Sequence, residues 1–282
     1  MKLKKHEAAL IVFFAIVIAA AGIVILLMLR EYMEGDRAYI QLQDYVFLPA
    51  ATSAAEPEPG ETADSSEASA VIPEPGGAAG MSGTLAGENG GNGSVGTGFP
   101  VVDFDGLQTI NPDILGWIYS AGTPINYPVV QGETNEEYLY RMADGRENKC
   151  GSIFLDCGND RSFQDANSVI QGHNMNNGSM FAELKKYAEQ EYYDEHGEIW
   201  LVTPERTYCI AVFAAFVTTV DSDVWKLSFP SEEEFTAWKS EMAEKSLFQS
   251  RVTPAAGEKV VTLSTCSYEF ENAHFVVMGV LK

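Results

Sequence analysis

The hydropathy pattern divides the chain into unlike parts. A short basic segment, MKLKKHE, carries Lys2, Lys4 and Lys5, and Ala8 to Leu29 then runs apolar without a charge. As a helix at 1.5 Å per residue this run is about 33 Å long, enough for the ~30 Å hydrocarbon core of a bilayer. A cleaved signal peptide is the alternative, but its apolar region is normally shorter and ends in a small-x-small site, which LMLREYMEG does not offer. The lysine excess puts residues 1–7 on the cytoplasmic side, the anchor at 8–29, and the rest of the chain outside. Tyr32, Tyr39, Leu42, Tyr45 and Val46 form a rough helical stripe, which predicts a juxtamembrane helix over 30–48.

From residue 49 to 98 the pattern disappears. The segment is first acidic and Pro-rich and then Gly-rich, with neither Lys nor Arg. Such a composition buries too little apolar surface to offset chain entropy, and it predicts disorder. As a flexible tether of ~50 residues it would span about 40 Å root-mean-square. Its expected role is spacing.

Periodicity returns in residues 99–282. DFDGLQTI reads as a short helix broken at Asn111-Pro112, and GWIY starts a strand. Strands are predicted at Thr123–Val130, Ser152–Leu155, Ser168–Ile170, Glu198–Val202, Thr207–Val220, Lys259–Thr265 and Phe275–Leu281, with a helical turn at Glu136–Met142. Ser179 is placed to cap a helix bearing Met180, Leu184 and Tyr187. Ser231 and Glu234 form a capping box for a helix with Phe235, Trp238 and Met242 on one face and a Glu241–Lys245 pair. Many short strands and few helices predict a mostly β fold, a closed barrel with helices outside.

Charge and cysteine content narrow the function. With 40 acidic and 18 basic residues, the formal charge of -22 argues against nucleic acid as a partner. Four cysteines are too few for a disulfide scaffold. Cys150 and Cys157 bracket an extended run and sit roughly 20 Å apart, out of disulfide reach. Cys150, Cys157 and Cys209 read as packing residues. Neither CxxC nor HExxH occurs, so no metal or cofactor is expected.

Cys266 differs in its setting. It follows a strand, KVVTLST, that would hold a thiol at the rim of a rigid sheet, as a nucleophile requires. It is otherwise one more buried cysteine. The candidate base is His173, which follows the strand Ser168–Ile170 in SVIQGHNMNNGSMF.

Four stretches together, TLSTC, IQGHNMNNGSMFAELKKY, INPDILGWI and INYPVVQGETNEEYL, resemble the class B sortases, membrane-anchored cysteine transpeptidases of Gram-positive bacteria. The resemblance covers Val102 to Leu281 and implies the eight-stranded sortase barrel, with residues 99–282 as catalytic domain and a long helix between the sixth and seventh barrel strands. It implies that Cys266 attacks the Thr–Gly or Thr–Asn bond of a C-terminal sorting signal, of NPxTN/G or LPxTG type, on a surface protein. A peptidoglycan amine then resolves the thioester. It carries substrate contacts onto Asn135, Leu139, Val220, Val224, Trp225 and Ser264. Pilin polymerisation, trimming by hydrolysis and non-catalytic peptide binding remain as alternatives.

The sequence departs from the family at one position. Sortases carry an arginine on the last strand, and this chain has His274 there. Neutral histidine offers one donor and no charge, where arginine offers five donors and a fixed charge. Three readings stand. His274 replaces the arginine, in part as a protonated form near pH 6. Or Arg141, Arg146, Arg161, Arg206 or Arg251 reaches the site. Or the enzyme is impaired.

Overall fold

The computed structural model describes residues 5–48 and 99–282, with side chains described from residue 13 onward. The expectation of disorder over 49–98 lies outside the described residues. Helix α1 (Lys5–Gln43) is continuous, with no break where the apolar run ends. Residues 13–30 are almost all exposed on every face. From Gly35 onward one face is buried, formed by Gly35, Ala38, Tyr39 and Leu42. That is the i, i+3, i+4, i+7 stripe of a helix packed on a core, and it joins the main core of the barrel.

Two short strands follow, β1 (Val46–Phe47) and β2 (Val101–Val102), and they pair antiparallel, Val46 with Val102 and Phe47 with Val101. The described residues on either side of 49–98 are thus held together by this pair.

Helix α2 (Phe104–Ile110) is capped by Asp103, whose side chain accepts from Gly106 N–H. The barrel then forms from β3 (Ile114–Tyr119), β4 (Asn126–Val130), β5 (Ile153–Leu155), β6 (Asn167–Gln171), β7 (Glu198–Val202), β8 (Thr207–Thr219), β9 (Val260–Cys266) and β10 (Ala273–Leu281). It closes in the order β10-β8-β7-β3-β4-β5-β6-β9. The pairings β4–β5 and β6–β9 are parallel and the others antiparallel. Period-two alternation divides the strands. Leu263, Phe275 and Val277 point into the main core, whereas Val260, Val276, Met278 and Val280 point outward beneath a helix.

That helix is α4 (Glu232–Glu244), between the sixth and seventh barrel strands. Ser231 Oγ accepts from Glu234 N–H at 3.2 Å, Phe235, Trp238 and Met242 are buried, and Lys245 pairs with Glu241 at 2.7 Å. The expected helix after Ser179 is instead a 3₁₀ segment, Ala182–Ala188, with no side-chain cap. Ser179 Oγ donates to Asn177 instead. Leu184 and Tyr187 are still buried by it, because i, i+3 spacing suits a three-residue turn. Helix α3 (Gln190–His196) leads into β7. The expected helical turn at Glu136–Met142 is a run of turns. Cys150 is buried and Cys209 half-buried, but Cys157 is exposed, which corrects its reading as a packing residue. It falls just past the end of β5, where the chain turns out to solvent.

Gly151 ties this framework to the site. Its φ is +56°, and a Cβ there would lie 2.2 Å from the Leu139 carbonyl oxygen. Gly151→Ala is expected to destabilise the fold by about 1–3 kcal/mol and to displace the 139 carbonyl. A thermal melt unchanged from the parent would contradict this.

Candidate active site

Strands β6, β9 and β10 bring the candidate residues to one end of the barrel. In the β9–β10 ladder His274 stands directly opposite Cys266, and across β10 it also stands opposite Thr218 of β8. Directly opposed residues share a face, so Cys266, His274 and Ser264 lie together on the outer face of the sheet. On the other side, β6 runs parallel to β9 with Gln171 beside Ser264. Two residues further along each chain stand His173 and Cys266. Asn174 joins the two ends, its Nδ2 donating to the Cys266 carbonyl at 2.9 Å.

His173 is held from behind. Its Nε2–H donates to the Leu139 carbonyl at 2.6 Å, and the Tyr140 ring packs at 5.8 Å. A carbonyl only accepts, so this contact keeps a proton on Nε2 and leaves Nδ1 free to exchange one. The approach is possible because Gly151 leaves room for the 139 carbonyl.

Cys266 is exposed as a residue, but its thiol is partly desolvated by its neighbours. Burial pushes its pKa above the ordinary value, because the thiolate is the form that loses hydration. His274 shifts the other way, and burial lowers its pKa. The protonated form expected near pH 6 is disfavoured by this burial, since a half-buried imidazole holds its charge poorly. Its Nδ1 is 3.3 Å from Ser264 Oγ, and Trp225 meets its ring edge-on at 5.3 Å. Trp225 is itself fixed by its indole N–H, which donates to the Thr219 carbonyl at 3.0 Å.

The remaining predicted residues divide. Asn135 does not face the thiol. Its Nδ2 donates to Asp156, its Oδ1 accepts from Cys157 N–H, and Asp156 also accepts from Gln171. Asn135 thus braces the end of β6 that carries His173. Leu139 packs its side chain against the core and offers its carbonyl to the site. Val220 is half exposed, just past the end of β8. Val224 is corrected as a surface contact. It is 0% exposed and belongs to the core under α4, because the 3₁₀ turn Asp223–Trp225 directs it inward.

The five alternative arginines are engaged elsewhere. Arg141 pairs with Glu137, Arg146 with Asp144, and Arg251 with Asp194. Arg161 donates to the Gln131 carbonyl, and Arg206 lies over Tyr208. Sequence reasoning did not single out Asn174, Tyr140 or Gly151. Asn174 was within reach as the neighbour of His173, whereas the other two are recognisable only from the loop that packs behind the imidazole.

A strand-end thiol and an imidazole at the same end of a closed eight-stranded barrel are the groups that cysteine-dependent acyl transfer needs. Residues 118–282 match the Sortase domain family. The chain is 33% identical over 177 residues to sortase B of Listeria monocytogenes, covering 62% of this chain and 72% of that protein. Its fold superposes on the Staphylococcus aureus sortase B–substrate complex with a TM-score of 0.61 at 32% identity, covering 64% of this chain and 84% of that one. A sortase B structure complexed with triglycine matches equally well, at a TM-score of 0.61 and 32% identity over 64% of this chain and 85% of that one. The chain belongs to the sortase family, and its relatives are the class B enzymes. Its activity is cysteine transpeptidation in cell-wall anchoring, and the pilin-polymerising and non-catalytic readings are not favoured.

Proposed function

We propose that Cys266 is the nucleophile and His173 the acid–base of a transpeptidase that joins sorting-signal proteins to a peptidoglycan amine. The observation that supports this reading is the parallel β6–β9 register, which brings the chain ends leading to His173 and Cys266 out on the same end of the barrel, with the Leu139 carbonyl holding the imidazole. Cys266 Sγ, as thiolate, attacks the threonine carbonyl carbon at the scissile bond. The C–N bond breaks, His173 Nδ1–H protonates the departing amine, and a thioester remains. An incoming amine then attacks the thioester, His173 takes its proton, the C–S bond breaks, and the thiolate returns. Burial raises the thiol pKa, which lowers the thiolate fraction available for attack and slows turnover.

His274 serves as donor to the developing oxyanion. With Ser264 Oγ–H donating to Nδ1, its proton sits on Nε2, and Trp225 fixes the ring plane. Val220 and Trp225, at the end of β8 and in the turn after it, border the peptide path.

The partners follow the relatives. One matching sortase B structure is a substrate complex and another holds triglycine, which supports a sorting peptide and an oligoglycine-like or stem-peptide amine here. The apolar half of α1 anchors the chain in the membrane, with residues 1–7 cytoplasmic and the barrel outside. Phe13–Gln43 is a helical stretch long and apolar enough to span. The 30–48 segment belongs with the catalytic domain, since its buried face completes the barrel core.

The test incubates the full chain in detergent with a panel of NPxTN/G and LPxTG peptides and follows mass. A peptide adduct on Cys266, released on adding triglycine, is expected. Binding with no adduct between pH 5 and 8 would overturn the transpeptidase assignment of this thiol.

A further inference from the structure

We infer that α1 clamps the catalytic rim of the barrel against the lipid headgroup layer, so that the thiol works at the membrane surface and not at the end of a tether. The inference rests on the anchor reading of α1 and adds to it an orientation and a height.

Three observations carry it. First, α1 does not break after Leu29, so the direction of the apolar half is passed on to the half that packs on the barrel. Second, the packed half is fastened along its length. The Glu31 carbonyl accepts from Asn148 Nδ2 at 3.0 Å and the Glu31 carboxylate pairs with Lys149 at 2.7 Å. The Tyr39 hydroxyl donates to the Gly151 carbonyl, and Gln43 Nε2 donates to the Asn126 carbonyl at 3.0 Å. Gly35 lies so close to the barrel that a Cβ there would come 2.9 Å from Cys150 Sγ. Third, the contacts begin inside the apolar run. Met28 and Tyr32 line a cavity together with Asn148, Lys149 and Met175.

These contacts set the height of the site. If Met28 lies at the edge of the hydrocarbon, Met175 does too, and His173 is two residues from Met175, at most about 7 Å of chain. Tyr140, whose ring neighbours His173, lines a cleft with Glu31 and is 63% exposed. Tyrosines suit the bilayer interface, where an apolar ring and a polar tip are both accommodated. Four ion pairs, Arg30–Glu34, Arg141–Glu137, Arg146–Asp144 and Lys149–Glu31, offset part of the charge on this rim. The surface it would meet is therefore zwitterionic and not anionic, since Glu147 adds negative charge to the same cleft. The far end of the packed helix stands much higher. Gln43 is fourteen residues past Leu29, roughly 20 Å along the axis, and Tyr45, just beyond it, abuts α2 at Gly106.

The test reconstitutes the full chain in phosphatidylcholine vesicles, in a Cys157→Ser, Cys209→Ser, Cys266→Ala background that leaves only the buried Cys150. A fluorophore is placed at Tyr140→Cys or at Thr109→Cys, an exposed position on α2. Headgroup-nitroxide lipid should quench the label at position 140 and leave the one at 109 unchanged. Gly35→Leu, which forces α1 off Cys150, should reduce the difference. Equal quenching at both positions in protein that floats with the vesicles would overturn the clamp while leaving the anchor intact. Protein that fails to float would overturn the anchor reading and the clamp with it. The comparison of positions 140 and 109 in the parent decides the matter even if Gly35→Leu does not fold.

Discussion

Cys266→Ala should abolish the peptide adduct and reduce transpeptidation by roughly 10³-fold or more, about 4 kcal/mol of transition-state stabilisation. The substitution is small and the residue is exposed at the last position of β9, so the melting temperature should hardly move. The same thiol sets a pH dependence. Burial favours the neutral thiol, so the folded pKa lies above the ordinary value and the thiolate fraction rises as pH rises. Alkylation of Cys266 by iodoacetamide should therefore accelerate through neutral pH and continue to rise beyond it, measured in a Cys157→Ser background. A rate already flat by about pH 7 would mean an activated thiolate of the kind found beside strong cationic partners, and would remove the explanation for slow turnover.

His274→Ala should lower kcat by about 10²-fold and leave KM nearly unchanged, because a donor to developing charge acts mainly in the transition state. The position is suited to this measurement. Its backbone is locked between β8 and β9, while its side chain sits on the outer face and supports no part of the core. His274→Arg should raise kcat above the parent, since guanidinium adds charge and donors and can pack on Trp225 as the imidazole does. Ser264→Ala should give a smaller loss, because it frees the tautomer but keeps the ring. If His274→Ala keeps full kcat, His274 is not the oxyanion donor. If His274→Arg is no faster than the parent, the arginine's place is already filled by histidine on equal terms. Burial of the imidazole lowers the His274 pKa and so disfavours the charged form that would stand in most nearly for arginine.

The relation between Asn135, Leu139 and Gly151 shows where residue-by-residue reasoning stops. The motif NEEYL drew attention to Asn135 and Leu139 as peptide contacts. In the fold, one braces the end of β6 through Asp156 and the other presents a backbone carbonyl to His173. Gly151 makes the second contact possible from a different loop, through a backbone that is open only to a residue without a Cβ. Any side chain at position 139 has the same carbonyl, so its part in the site leaves no trace in local sequence.

Much of the protein was legible along the chain because it depends on short-range pattern. The apolar run of α1, the alternation in β8 to β10 and the Ser231 cap all express interactions within a few residues, and the count of short strands already suggested a closed barrel. The pairing of Cys266 with His173, far apart along the chain, was legible mainly through whole stretches resembling a known family. What the tertiary structure alone decided involves residues far apart. The β1–β2 pair joins Val46 and Phe47 to Val102 and Val101, positions far apart along the chain. Val224 turned inward because α4 needed a side chain beneath it. Tyr39, one residue in a rough stripe, became part of the barrel core through a partner more than a hundred residues away. Composition and periodicity record which side chains seek burial. Which surface receives them is set by packing between distant segments, as where Tyr39 of α1 meets Gly151 of the barrel.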